Sequence, residues 1–76
     1  MANIEWQRTS YGFEASVGEG ALTLMVFYEH AWKIGINDRI VRAEYPDVET
    51  AKRGAITWAK EKLKLMEAEL KQLERA

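Results

Sequence analysis

The spacing of apolar positions changes once along the chain. Up to Tyr45 it follows the two-residue period of strands; from Asp47 to Arg75 it follows a helix. Ile4 to Arg8 alternates Ile-Glu-Trp-Gln-Arg, with Ile4 and Trp6 on one face. Thr9-Ser10-Tyr11-Gly12 carries turn chemistry. Phe13, Ala15 and Val17 then face inward between Glu14 and Ser16, and Gly18-Glu19-Gly20 forms the next turn. Leu22 to Tyr28 is apolar on both sides: Leu22, Leu24, Val26 and Tyr28 on one, Met25 and Phe27 with Thr23 on the other. That is the pattern of a central or covered strand. Glu29-His30-Ala31 suits a three-residue loop. Trp32, Ile34 and Ile36 face inward again, with Lys33 and Gly35 outward. Asn37-Asp38 is a two-residue hairpin signal. Beyond it Arg39, Val41, Ala43 and Tyr45 share the face of Ile36, leaving Ile40, Arg42 and Glu44 outside.

Pro46 stops this extended run, because its fixed φ and missing N–H suit a helix start better than a strand. Asp47 can cap the first turn, and Asp47 and Glu49 place negative charge at the positive end of the helix dipole. Strong helix formers follow, interrupted only by Gly54, which predicts a close approach to the sheet beside Ala51, Ala55 and Ala59. The first half is apolar over a wide arc: Val48, Ala51, Ala55, Ile56, Trp58, Ala59, Leu63 and Leu65. Further on the set narrows to Leu63, Met66, Leu70 and Leu73, spaced as a coiled-coil seam counted from Ala59. A helix from Asp47 to Arg75 is roughly 43 Å long, whereas the Leu22–Tyr28 strand spans about 23 Å, so two or three turns should overhang the sheet. The seam then serves a homodimer, antiparallel or splayed, unless the strands tilt and the whole stripe docks on its own sheet.

The expected fold is α+β: an antiparallel meander of four to five strands, about residues 4–45, followed by one long helix, about 47–75, packed on one face of a single domain 1–76. The inner layer predicted for the sheet is Ile4, Trp6, Phe13, Ala15, Val17, Leu22, Leu24, Val26, Tyr28, Trp32, Ile34, Val41 and Ala43. Against it stand Ala51, Ala55, Ile56, Trp58, Ala59 and Leu63 of the helix. The other face is left open. Met25, Phe27 and Ile40 lie in its middle, with Glu5, Glu14, Lys33, Arg42 and Glu44 around them. An apolar patch ringed by mixed charge marks a protein contact, unless a loop or the first strand folds over it. Met25, Phe27, Ile40, Glu14, Arg42 and Glu44 are accordingly the candidate partner-binding residues, and Leu63, Met66, Leu70 and Leu73 the candidate dimer seam.

Composition narrows the function classes. The chain has no cysteine, which excludes a disulfide-built domain and thiol chemistry and fits a reducing cytoplasm. Its first residues show neither a basic region nor an apolar run, and no apolar stretch approaches membrane-spanning length. Residues 1–46 hold four basic and six acidic side chains, and residues 47–76 hold seven basic and six acidic. Lys52, Arg53, Lys60, Lys62 and Lys64 make a local basic cluster on a molecule of net charge −1, which argues against a nucleic-acid footprint. The single histidine, His30, sits in a turn, and nothing places it beside Ser10 or Ser16 as a catalytic pair. Glu14 and Glu44 could approach across the sheet as a carboxylate pair. No spacing matches a zinc, calcium or phosphate site. No catalytic, cofactor or metal residue is assigned, and a non-enzyme is expected.

Two resemblances bear on partners. Tyr11 to Lys62 runs Y-G-F-E-A-S-V, a Gly turn, a long apolar strand, W-K-I-G-I, a turn, then Y-P-D-V-E-T-A-K into an alanine-rich helix. In size, acidity and plan this resembles small phage-encoded anti-CRISPR proteins. The resemblance implies a non-enzymatic inhibitor in the host cytoplasm that occupies a functional surface of a CRISPR effector complex. It assigns no residue an inhibitory role. Y-G-F-E-A and the Glu49-Thr50-Ala51 helix start also resemble the arm-type DNA-binding domain of phage integrases, which inserts its sheet in the major groove. There the charge departs from the pattern, since Glu5, Glu14 and Glu44 stand where phosphate contacts need Lys or Arg. A plain homo-oligomeric assembly module built on the helix seam is a third alternative.

Overall fold

Four tight turns fold the strand-period half into a meander. The computed structural model describes residues 4–75. Residues 1–3 and 76, which the single-domain expectation and the reading of the first residues include, lie outside the described residues. Strands β1 (Gln7–Arg8), β2 (Gly12–Val17), β3 (Leu22–Tyr28), β4 (Trp32–Ile36) and β5 (Arg39–Tyr45) precede helix α1 (Val48–Arg75). All pairs are antiparallel and the strands lie side by side in chain order, so the α+β meander is as expected.

Each turn has a local cause. The Thr9 hydroxyl oxygen accepts from the N–H groups of Tyr11 (3.3 Å) and Gly12 (3.0 Å). His30 takes φ 67° in the three-residue loop, closed by the Glu29 N–H donating to the Ala31 carbonyl at 2.9 Å. Asn37, at φ 57°, turns β4 into β5. Its N–H donates to the Thr23 carbonyl (2.7 Å), while its Oδ1 accepts from the Thr23 N–H (3.0 Å). One residue thus makes the hairpin and ties it to β3.

Register sets the two faces. Phe13, Val26, Ile34 and Val41 form one inner row across four strands, and Ala15, Leu24 and Ile36 form the next. Between Trp32 and Ile34 the β4–β5 ladder is irregular: Ile34 pairs with Val41 but Trp32 with Tyr45, so three residues of β5 stand opposite Lys33.

The helix starts at a side-chain cap. Asp47 Oδ1 accepts from both the N–H and the hydroxyl of Thr50, each at 2.8 Å. These bonds favour the ionised form and hold the Asp47 carboxyl below its ordinary 3.8. The helix docks through Ala51, Ala55 and Ala59, which are buried against Leu22, Leu24, Val26, Ile34 and Ile36. Gly54 permits the close approach expected of it, since the Tyr45 ring lies 2.5 Å from where a Cβ would stand.

The core is narrower than the inner layer expected from the pattern. Ile56, Trp58 and Leu63 are exposed, because a helix seated on small alanines turns its bulky neighbours to the flanks. Tyr28 is exposed at the end of β3, where its ring meets Trp32 edge-on at 5.4 Å. The first strand shrinks to Gln7–Arg8 and leaves Ile4 61% exposed. Trp6 and Phe13 stay half-buried, and Lys52 lies over both rings, 5.8 Å and 4.1 Å from their centres.

A Cβ on Gly12 would overlap the Val26 carbonyl oxygen and crowd the Phe27 Cα, both of them backbone atoms that no rotamer change can move. Gly12→Ala should therefore destabilise the protein by about 2 kcal/mol. The measurement is the urea midpoint of the variant against wild type; an unchanged midpoint would refute the close approach of β2 to β3.

Candidate protein-binding surfaces

The outer face is built by the odd-even alternation of β3 and its neighbours. Glu14, Met25, Gly35 and Ile40 fall in one row across β2 to β5. Gly35 is buried because the Met25 methyl lies over it, 2.9 Å from where a Cβ would stand. In the neighbouring row Phe27 stands between Gly12 and Lys33, and Lys33 pairs with Glu29 at 3.6 Å. The structure therefore brings Glu14, Met25 and Ile40 together in one row, with Phe27 beside Met25. Arg42 and Glu44 are exposed on the last strand, where they line a hollow with Ile40 and Lys33, away from Glu14 and Met25. Tyr11 reaches over the other side: its hydroxyl is 3.2 Å from Glu14 Oε2 and 3.8 Å from Met25 Sδ. Met25, beneath Tyr11, and Phe27 beside it are half-buried, whereas Ile40 is open. A Glu14–Glu44 carboxylate pair does not form. The two stand on β2 and β5, about 14 Å apart at three strand spacings.

The second surface is the far part of α1. Ala59 is its last buried residue, and every position from 60 to 75 is exposed. Glu61, Lys62 and Leu65 still border Ile36, Arg39 and Val41 of the sheet, so the helix projects beyond it from Met66 to Arg75, about 15 Å at ~1.5 Å per residue and close to the two or three turns expected. Leu63, Met66, Leu70 and Leu73 continue the helical face that Ala51, Ala55 and Ala59 turn to the sheet, and all four are exposed. The sequence pattern left open whether this stripe docks on its own sheet; in the fold it does not.

The third surface was not anticipated. Trp58 and Leu65 flank β5 across a hollow of about 600 Å³, with Ile36 and Val41 on its floor and Arg39, Glu61 and Lys62 around it. The signal was present in the sequence. Trp58 and Leu65 lie seven residues apart, on one helical flank outside the 51-55-59 stripe, within the broad apolar arc that the sequence pattern turns toward the sheet.

Chemistry is sparse. Among the described residues no group of three or more His, Asp or Glu is placed to hold a metal ion, and no helix is long and apolar enough to cross a membrane. His30 is exposed in its loop. The chain matches no protein-family model, no curated protein and no solved structure.

Val26 and Phe27 are adjacent in β3 yet face opposite ways, Val26 fully buried and Phe27 half-buried on the outer face. Phe27→Asp should keep a cooperative thermal transition, with destabilisation of about 1–2 kcal/mol, while Val26→Asp should abolish folding because it buries an unpaired charge. Circular dichroism melts of the two variants distinguish them, and equal collapse of both would show that the outer face is core.

Proposed function

We propose that this protein acts by binding other proteins, without chemistry of its own, and that it does so as a homodimer. The observation that supports this is the overhang of α1. The end of α1 from Met66 to Arg75 is exposed throughout, a helical stretch of that length is marginal in water on its own, and it carries Met66, Leu70 and Leu73 on the stripe that Leu63 begins. Leu70 and Leu73 are 57% and 70% exposed. Burying both is worth roughly 3–6 kcal/mol before the cost of association. Antiparallel pairing lays the net-basic stretch of one helix end, Lys60, Lys62 and Lys64 against Glu61, along the net-acidic stretch of the other, Glu67, Glu69 and Glu74 against Lys71 and Arg75.

The resemblance to small anti-CRISPR inhibitors extends this reading to a partner. The protein would occupy a functional surface of a CRISPR effector complex in the host cytoplasm. The mixed charge of the outer face, Glu14 and Glu44 against Arg42, suits a protein surface better than a phosphate backbone.

Sedimentation equilibrium tests the dimer. Wild type should sediment as a dimer at micromolar concentration and Leu70→Lys/Leu73→Lys as a monomer that still melts cooperatively, since neither leucine is buried in the protomer, but a few degrees lower because the stabilisation by association is lost. A wild type that stays monomeric at high concentration would end the homodimer reading. The partner class is tested separately. Titration with duplex DNA at two salt concentrations should show no tight, steeply salt-dependent binding, and adding the protein to a purified effector complex should suppress target binding or cleavage. Strong salt-dependent DNA affinity would favour the sheet-in-groove alternative.

A further inference from the structure

The two edges of the sheet differ. One is β1, only two residues long; the other is β5, seven residues long with β4 as its single neighbour. The outward N–H and C=O groups of β5 therefore have no strand to pair with. Hollows lie on both sides of this edge. The one of about 600 Å³ faces the helix and is walled by Val41, Trp58 and Leu65. A second, of about 450 Å³, lies along Lys33, Ala43 and Glu44, and Ile40, Val41 and Arg42 line both. Successive side chains of a strand point to opposite faces. A sixth strand laid beside β5 would thus place one side chain in the first hollow and the next over the second, the arrangement by which strand addition gains sequence preference.

The chemistry of the edge selects what that strand carries. Trp58, 47% exposed, offers a broad rigid wall for an aliphatic or aromatic side chain. Around it stand Arg39, Arg42 and Lys62 against Glu61, and none of these three cations forms an ion pair among the described residues. The rim is net positive on a chain that is net negative. The irregular stretch opposite Lys33 and the charges of β5 discourage indiscriminate pairing, which leaves Arg39, Ile40 and Val41 as the regular part of the edge and Arg42 at its border.

We propose that β5 is a strand-addition site for an extended segment of a partner protein, one that alternates apolar side chains facing Trp58 and Leu65 on the helix side with acidic residues facing Arg42 on the outer side. This rests on the protein-binding reading but not on the projecting seam, which lies on a different part of the helix. A second copy of β5 is a poorer occupant, because it brings its own Arg39 and Arg42 to a rim that already carries them.

The test uses the full chain and two end-blocked synthetic peptides, one alternating leucine with glutamate and one with lysine in place of every glutamate. The acidic peptide should bind and slow amide hydrogen exchange along β5 but not along β1. Arg42→Glu should weaken it about tenfold and Trp58→Ala about thirtyfold. Both variants should keep a cooperative thermal transition, Arg42→Glu near the wild-type temperature because its side chain is exposed and Trp58→Ala a few degrees lower because about half of the indole is covered. Equal binding of the lysine peptide, or protection that falls elsewhere in the sheet, overturns the proposal. So does concentration-dependent protection of β5 with no peptide present, which would identify a second copy as the occupant. If neither peptide binds while wild type still dimerises through Leu70 and Leu73, the strand-addition site is wrong and the protein-binding reading stands; if both fail, both readings fall.

Discussion

Ala51, Ala55 and Ala59 set how closely the helix backbone approaches the sheet, and most other features follow from that spacing. A helix seated on methyl groups lies low, so the inner face of the sheet needs only modest side chains beneath it. Val26 and Ile34 are the largest that are fully buried. The same closeness forces Gly54 under the Tyr45 ring and turns Ile56 and Trp58 outward to the two flanks. A layer this thin yields limited hydrophobic stabilisation, as expected for a chain of 76 residues. It also leaves much of the apolar content of the helix uncovered.

The architecture was legible because each local signal agreed with the next. Pro46 and Asp47 mark a helix start that the Thr50 bonds to Asp47 make concrete. Asn37-Asp38 marks the hairpin, and the alternation through β3 places Met25 and Phe27 opposite Val26 without ambiguity. What the pattern could not convey was distance. A list of apolar helix positions does not say whether alanines or tryptophan meet the sheet, and that depends on how low the helix lies. For the same reason the depth of burial was overestimated: full burial ends at Ala59, where the small residues end, and Leu63 is exposed.

Lys52 shows a second limit of pattern reading. In a charge count it belongs to a basic cluster. In the fold it spans the flank of the sheet, with its ammonium over the Phe13 and Trp6 rings. Its aliphatic stem and charge together close the β2 side that the narrow helix leaves open. The opposite flank, beyond Trp58, has no equivalent cover. Of the candidate partner residues, Ile40, Arg42 and Glu44 lie on the strand that borders that uncovered flank, while Glu14, Met25 and Phe27 lie in the part of the outer face that Tyr11 partly shields.

The unequal edges also govern what kind of assembly the sheet can support. A sheet with two long free edges can accept a neighbour on each side, and identical units then add head to tail without end. Here one edge is two residues long and the other is seven. Growth through hydrogen bonding has a single growing end, and one strand added there fills it. The sheet is thereby biased toward a stoichiometric complex that closes after one partner, and away from a fibre.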